Sequence, residues 1–236
     1  MASFASAAAA QVTIPVTVSG NVADNDANNL GDNSGAAGST FISAGIFSSG
    51  TPGNNGTSRM HFEFPIASLG TGPVPVATVQ ITSFNSGFET LDTFFFAATI
   101  DGNGTIENSD FEIASAAVPS STMLLSSNAG GDATHTFDVT SQLNAALAAG
   151  RNFLVIQGRV DETIAGPGYQ RGLEVYSHIA SDSTKRPVLV VSDVVVIGPP
   201  PKSVPVPGPG APALAAMAVL LALAGSVALA RRKPRT

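Results

Sequence analysis

Cysteine and tryptophan are both missing from this 236-residue sequence, and charge is scarce. Without cysteine there is no disulfide, no thiolate metal site and no cysteine nucleophile, so stability rests on the core alone. A chain without thiols is compatible with export, although that absence names no compartment. Charged residues make up 12%, about half the ~25% usual in soluble proteins, and a hydrophobic share of 44% is too ordinary for a polytopic membrane protein. Also missing are a Gly-x-Ser-x-Gly elbow, a phosphate loop and a Gly-x-Gly-x-x-Gly turn after a strand, which argues against the commonest nucleophilic and nucleotide chemistries. No repeat of roughly 20–50 residues is visible, which disfavours solenoids and propellers.

No acidic residue follows Asp193, and four of the eleven basic residues (Arg231, Arg232, Lys233, Arg235) stand in the last six positions. The rest of the chain holds seven basic against seventeen acidic residues. An acidic body repels phosphate backbones, so nucleic acid is not an expected partner.

What is there reads as β-structure. Val12, Ile14, Val16 and Val18 alternate with other residues, as a half-buried strand requires. The strongest alternation sets Met60, Phe62, Phe64 and Ile66 on a core face against Arg59, His61 and Glu63 on the other. Further strands are expected at 41–47, 77–84, 93–100, 121–125, 134–140, 153–160, 173–179 and 187–197, separated by Gly, Asn, Asp or Pro turns. Residues 21–38 and 48–58, rich in Asn and Gly, read as loops. One helix is expected at 141–149, with Thr140 or Ser141 as its N-cap and Gly150 as its stop, plugging an end of the fold. The expected class is all-β: a jelly-roll-like antiparallel β-sandwich with one short helix, plus a C-terminal transmembrane helix.

The two ends differ from this body. Residues 1–10 (MASFASAAAA) carry the small-residue pattern of a signal-peptide cleavage region and are read as its remnant, which leaves an ectodomain at 11–197. Residues 198–212 form a Pro/Gly linker in which proline holds the chain extended. Residues 213–230 are eighteen positions without a charge, about 27 Å as a helix against a hydrocarbon core of about 30 Å. Arg231, Arg232 and Lys233 follow at once, a cationic stop that is retained on the cytoplasmic side and puts the body outside, with 231–236 as the inner tail.

The motif Val204, Pro205, Val206, Pro207, Gly208, Pro209 stands directly before this rod and its basic cluster. The three-part C-terminus resembles the PEP-CTERM sorting signal of bacterial surface proteins, in a variant with valine where that family typically has glutamate between two prolines. The resemblance covers about thirty residues. It implies an exosortase-type sorting enzyme in the membrane as a partner, and a temporary anchor cut near the motif. The body, through SRMHFEF (58–64), FDVTSQLNAALAAG (137–150) and SHIASDSTKRPVLVV (177–191), is similar to DNRLRE-like β-sandwich domains, which are known mainly as accessory or structural modules.

Candidate sites are few. Asp101, Asn103, Thr105, Ser109 and Glu112 repeat the oxygen rhythm of a calcium loop, although Ile106 occupies the position where that loop needs glycine. Asp24, Asp26, Asn28 and Asp32 make a weaker candidate for Ca2+; no other cofactor is implied. His61, His135 and His178 lack metal-ligand spacing and are expected on strand surfaces. The carboxylate pairs Asp161 with Glu162 and Asp110 with Glu112 are expected to face water rather than a glycosidic bond. Tyr169 beside Arg171 is the plausible glycan contact, since only two tyrosines are present and most phenylalanines suit core positions. The sequence thus points to a non-catalytic surface or extracellular-matrix structural protein, with a carbohydrate-binding module acting on exopolysaccharide as the alternative.

Overall fold

In the computed structural model, residues 10–25, 30–36, 38–48, 55–84, 93–118, 132–160 and 170–194 are described. They form β1 (Ala10–Pro15), β2 (Val18–Asp24), β3 (Asn33–Ala36), β4 (Phe41–Ser48), β5 (Asn55–Pro65), β6 (Val76–Ser83), β7 (Thr93–Ala98), β8 (Ser115–Ala117), β9 (Ala133–Asp138), α1 (Thr140–Ala148), β10 (Phe153–Val160), β11 (Gln170–Tyr176) and β12 (Val188–Val194). Every pairing is antiparallel. The hydrogen-bonded path runs β1-β12-β6-β11-β4-β5-β10-β7-β8, with β9 on β6, and β2 followed by β3 on β5. The all-β class is therefore as expected, and the arrangement is sandwich-like.

Two long strands carry this path from layer to layer. On one edge β5 pairs with β4 through Asn55 to Ser58 and then with β10 through Met60 to Pro65; its other edge pairs with β2 through Thr57 to Glu63. Strand β6 pairs with β12, then meets β11 at Ser83, while β9 runs along its other edge. The inward residues of the two halves meet in one apolar core that includes Phe62, Phe64, Val79, Ile81, Phe95, Phe137, Leu154, Ile156 and Leu189. Phe95 of β7 stacks on Phe137 of β9 with ring centroids 4.8 Å apart, joining strands that share no hydrogen bonds.

Helix α1 closes one end of this core. Leu143, Ala146 and Leu147 are buried, and Gly150 takes a φ of +67°, the left-handed conformation that ends helices. The N-cap differs from expectation: Val139 occupies it without a side-chain bond, and Asp138 Oδ1 instead accepts from the Thr140 amide at 2.7 Å. Asn144 fastens the helix laterally, exchanging hydrogen bonds with the Val74 backbone at 2.7 and 2.9 Å.

The expected first strand at 12–18 is in fact two, and the expected loop at 21–38 contains β2 and β3. Pro15 ends β1, after which the Val16 amide donates to Pro187 O and the Thr17 amide to Glu63 O. The chain then enters β2, whose Gly, Ser and Asn residues lack the usual strand signature. Gly20 is required by space: a Cβ there would collide with the Gly35 carbonyl and with Ile106. The expected loop at 48–58 is likewise partly strand, because β4 and β5 pair as far as Ser48 and Asn55. Strand β8 was not expected, and the proposed strand at 121–125 lies outside the described residues.

No helix among the described residues is long and apolar enough to cross a membrane. Residues 195–236, which hold the linker, the sorting motif and the apolar rod, lie outside those described.

Candidate functional site

The chemistry-bearing side chains converge on the face of β5 that points away from the core. Alternation places Arg59, His61 and Glu63 there, and register sets Gln157 of β10 beside His61 and Val155 beside Glu63. That face was expected to be solvent-exposed. Instead His61 is 0% exposed, Glu63 1% and Gln157 0%. The cover is the excursion at 99–114 between β7 and β8, which folds back over the sheet and packs Phe111, 1% exposed, onto it.

The first end of the excursion is tied to the start of β10. Arg151 donates to the carbonyls of Ala98 and Thr99 at 3.0 and 2.5 Å. Asp101 accepts from the amides of Asn152 and Phe153 and from the Asn152 side chain, at 2.8–2.9 Å. Burial alone would raise the Asp101 carboxyl, but these donors and the Gly102 amide together hold it below its ordinary value of 3.8. At the other end, the Asp110 side chain accepts from the Glu107 amide at 2.8 Å. Desolvation pushes the Asp110 carboxyl up, against that bond and the neighbouring His61.

Between these anchors runs a closed polar network. Glu63 accepts from His61 Nε2 at 3.3 Å through one oxygen and from the Gly104 amide at 2.7 Å through the other. Gln157 Nε2 donates to Asp110 O at 2.5 Å and faces His61 Nδ1 at 3.4 Å. Arg59 lies over the Phe111 ring, 3.7 Å from its centroid, and donates to Phe111 O. Arg159 lies over Phe96 and donates to Ser115 Oγ at 2.7 Å and to Gln157 Oε1 at 2.5 Å. Such a constellation holds acids, a histidine and two arginines, yet it is enclosed and its groups face one another. Its chemistry is that of a fastener between the sheet and the excursion.

Of the proposed calcium ligands, Asn103 and Thr105 bond to each other, while Asp101 and Glu112 are held by separate backbone amides. Asp101 caps β10, Asn103 Oδ1 accepts from the amide and hydroxyl of Thr105, and Glu112 accepts from the Gly31 amide at 3.0 Å. Among the described residues no group of three or more His, Asp or Glu side chains is placed to hold a metal ion. In the weaker candidate, Asp32 accepts from the Asn25 amide, Asp24 is buried, and Asp26 and Asn28 lie outside the described residues. Asp110, expected to face water, is 8% exposed.

His61 is thus a correction to the surface expectation, while His135 and His178 are half-buried. His135 Nε2 lies 2.8 Å from Ser83 Oγ, and His178 Nδ1 accepts from the Ser19 amide at 3.1 Å. Burial pushes both imidazoles below their ordinary 6.5. Tyr169, the side chain of Arg171, Asp161, Glu162, the motif at Val204 to Pro209 and the cluster Arg231, Arg232 and Lys233 lie outside the described residues.

A second cluster was missed from the sequence because its members are far apart in it. Phe41, Phe84 and Tyr176 form an aromatic group, with centroids 4.2 Å (Phe41 to Phe84) and 4.9 Å (Phe41 to Tyr176) apart. Lys185 donates to Asp132 at 2.5 Å and to the Tyr176 hydroxyl at 3.2 Å, and Tyr176 donates to Asp132 at 3.0 Å. The Lys185 hydrogen bond, then that of Tyr176, lowers the Asp132 carboxyl, and the Asp132 bond raises the ammonium in turn. Comparison with known protein families and with curated proteins finds no match to this chain.

Proposed function

We propose that the chain is an exported, non-catalytic structural protein of a bacterial cell surface or extracellular matrix. Its body is a jelly-roll-like sandwich at 11–197, carried on the Pro/Gly linker at 198–212 and anchored by a transmembrane helix at 213–230. The observation that carries this reading is the order of three parts at the C-terminus: the Val204 to Pro209 motif, eighteen uncharged residues and then Arg231, Arg232 and Lys233. An uncharged rod of that length prefers lipid to water, and its trailing cations stay on the inner side. An exosortase-type enzyme is the partner the motif implies, with residues 1–10 as the remnant of an export signal. The enclosed network on β5 supports a structural role for the body, because its acids and histidine are spent on internal partners.

Carbonate extraction of membranes tests the anchor. Made in cells that lack a sorting enzyme, the full chain should stay in the membrane pellet, and the same chain lacking residues 213–236 should be released. Release of both would remove the anchoring role.

A further inference from the structure

We infer that Asn103, on the excursion that covers β5, is an acceptor for an N-linked glycan, transferred from a lipid-diphosphate oligosaccharide by a membrane-bound glycosyltransferase. Two Asn-Gly-Thr triplets stand in the chain, at 55–57 and 103–105, and each matches the Asn-x-Ser/Thr pattern of such acceptors. The fold separates them. In the first, Gly56 and Thr57 are buried within β5 and pair with Phe47 and Ile46 of β4, so the threonine is closed to an enzyme. In the second, Asn103 and Thr105 are both exposed.

The second triplet is also held in a form that suits the transfer. Asn103 Oδ1 accepts from the Thr105 amide at 2.9 Å and from the Thr105 hydroxyl at 2.7 Å, which brings the two exposed side chains together. No described residue accepts from Asn103 Nδ2. Behind it the backbone is fixed: the Gly104 amide donates to Glu63 at 2.7 Å, a Cβ on Gly102 would collide with the same carboxylate, and Asp101 is bonded to the start of β10. A bulky group on Nδ2 therefore extends outward from an exposed side chain and leaves the network beneath in place. An amide nitrogen is a weak nucleophile because its lone pair is shared with the carbonyl, and donors on Oδ1 favour loss of a proton from Nδ2. In the transfer Nδ2 attacks the anomeric carbon of the lipid-linked sugar. The N–C bond forms, the C–O bond to diphosphate breaks, the lipid diphosphate leaves with the electron pair, and the Nδ2 proton passes to a base of the transferase. The inference rests on the export proposed above, because that donor and enzyme work at the outer face of the membrane.

Mass spectrometry tests this on the full chain recovered from the envelope of cells that make it, through the proteolytic peptide that contains Asn103. That peptide should be heavier by whole sugar residues, and its fragments should place them on Asn103. Asn103→Gln and Thr105→Ala should lose the added mass, Thr105→Ser should keep it, and Asn55→Gln should leave it unchanged. Thr105→Ala should still melt cooperatively, so that its loss of mass reports the missing hydroxyl rather than a misfolded body. An unmodified Asn103 peptide in protein taken from the envelope overturns the inference and leaves the export standing, as does an added mass that survives Asn103→Gln. Recovery of the chain from the cytosol alone removes the export and, with it, the inference.

Discussion

Gly102 shows how closely the excursion is seated on the sheet. A Cβ at that position would lie 2.7–2.9 Å from the Glu63 carboxylate, whose second oxygen already holds the Gly104 amide. Gly102→Ala should therefore cost about 1–3 kcal/mol in urea unfolding, because the buried carboxylate has nowhere to move. Asp101→Ala leaves two amides at the start of β10 without their acceptor and should cost about 1–2 kcal/mol. The half-buried histidines govern the response to mild acid. With both folded values below 6.5, the folded chain binds fewer protons than the unfolded one across that window. Their contribution is full above 6.5 and is lost as the pH falls through the folded values. The melting temperature should fall between pH 7.5 and 5, and His135→Gln with His178→Asn should flatten that slope.

At the scale of elements, β5 is the member on which both layers depend, and its two faces behave differently. Its core face was legible in sequence because Met60, Phe62, Phe64 and Ile66 keep a strict period of two. Its other face was not, because what covers it comes from residues 99–114, and no local pattern in 59–63 announces a lid forty residues away. The same limit explains the calcium expectation: Asp, Asn, Thr and Glu at alternate positions suit a metal loop or a set of separate caps, and only the fold chooses between them. Strand β2 was hidden by its small polar residues, of which Gly20 serves a close backbone approach rather than strand propensity. Removing the centre of the fastener tests its role. Glu63→Ala would leave His61 buried without its acid and the Gly104 amide without its acceptor, at a cost of about 3 kcal/mol. Hydrogen exchange at Gly104 should speed up in that variant, while protection within β6 and β12 should persist. At the far end, Leu143→Ala should cost about 2–5 kcal/mol by opening a cavity under α1.

For the whole molecule, the body and the tail answer to different physics. The body holds together by an apolar core between antiparallel strands, sealed at one end by α1 and covered on one side by the excursion. The anchoring proposed for the tail rests on the cost of exposing an uncharged eighteen-residue rod to water and on the cations that follow it, a reading that draws on hydrophobicity and flanking charge alone. The cluster of Phe41, Phe84, Asp132, Tyr176 and Lys185 was not legible, since its members lie far apart in the sequence and meet only through the fold. The most direct test of the anchoring and sorting account is the intact mass of the protein recovered from the envelope of cells that make it. A chain ending between Pro205 and Pro209 is the predicted result. Recovery of the complete chain from the soluble cytosolic fraction, with residues 213–236 still attached, would contradict it.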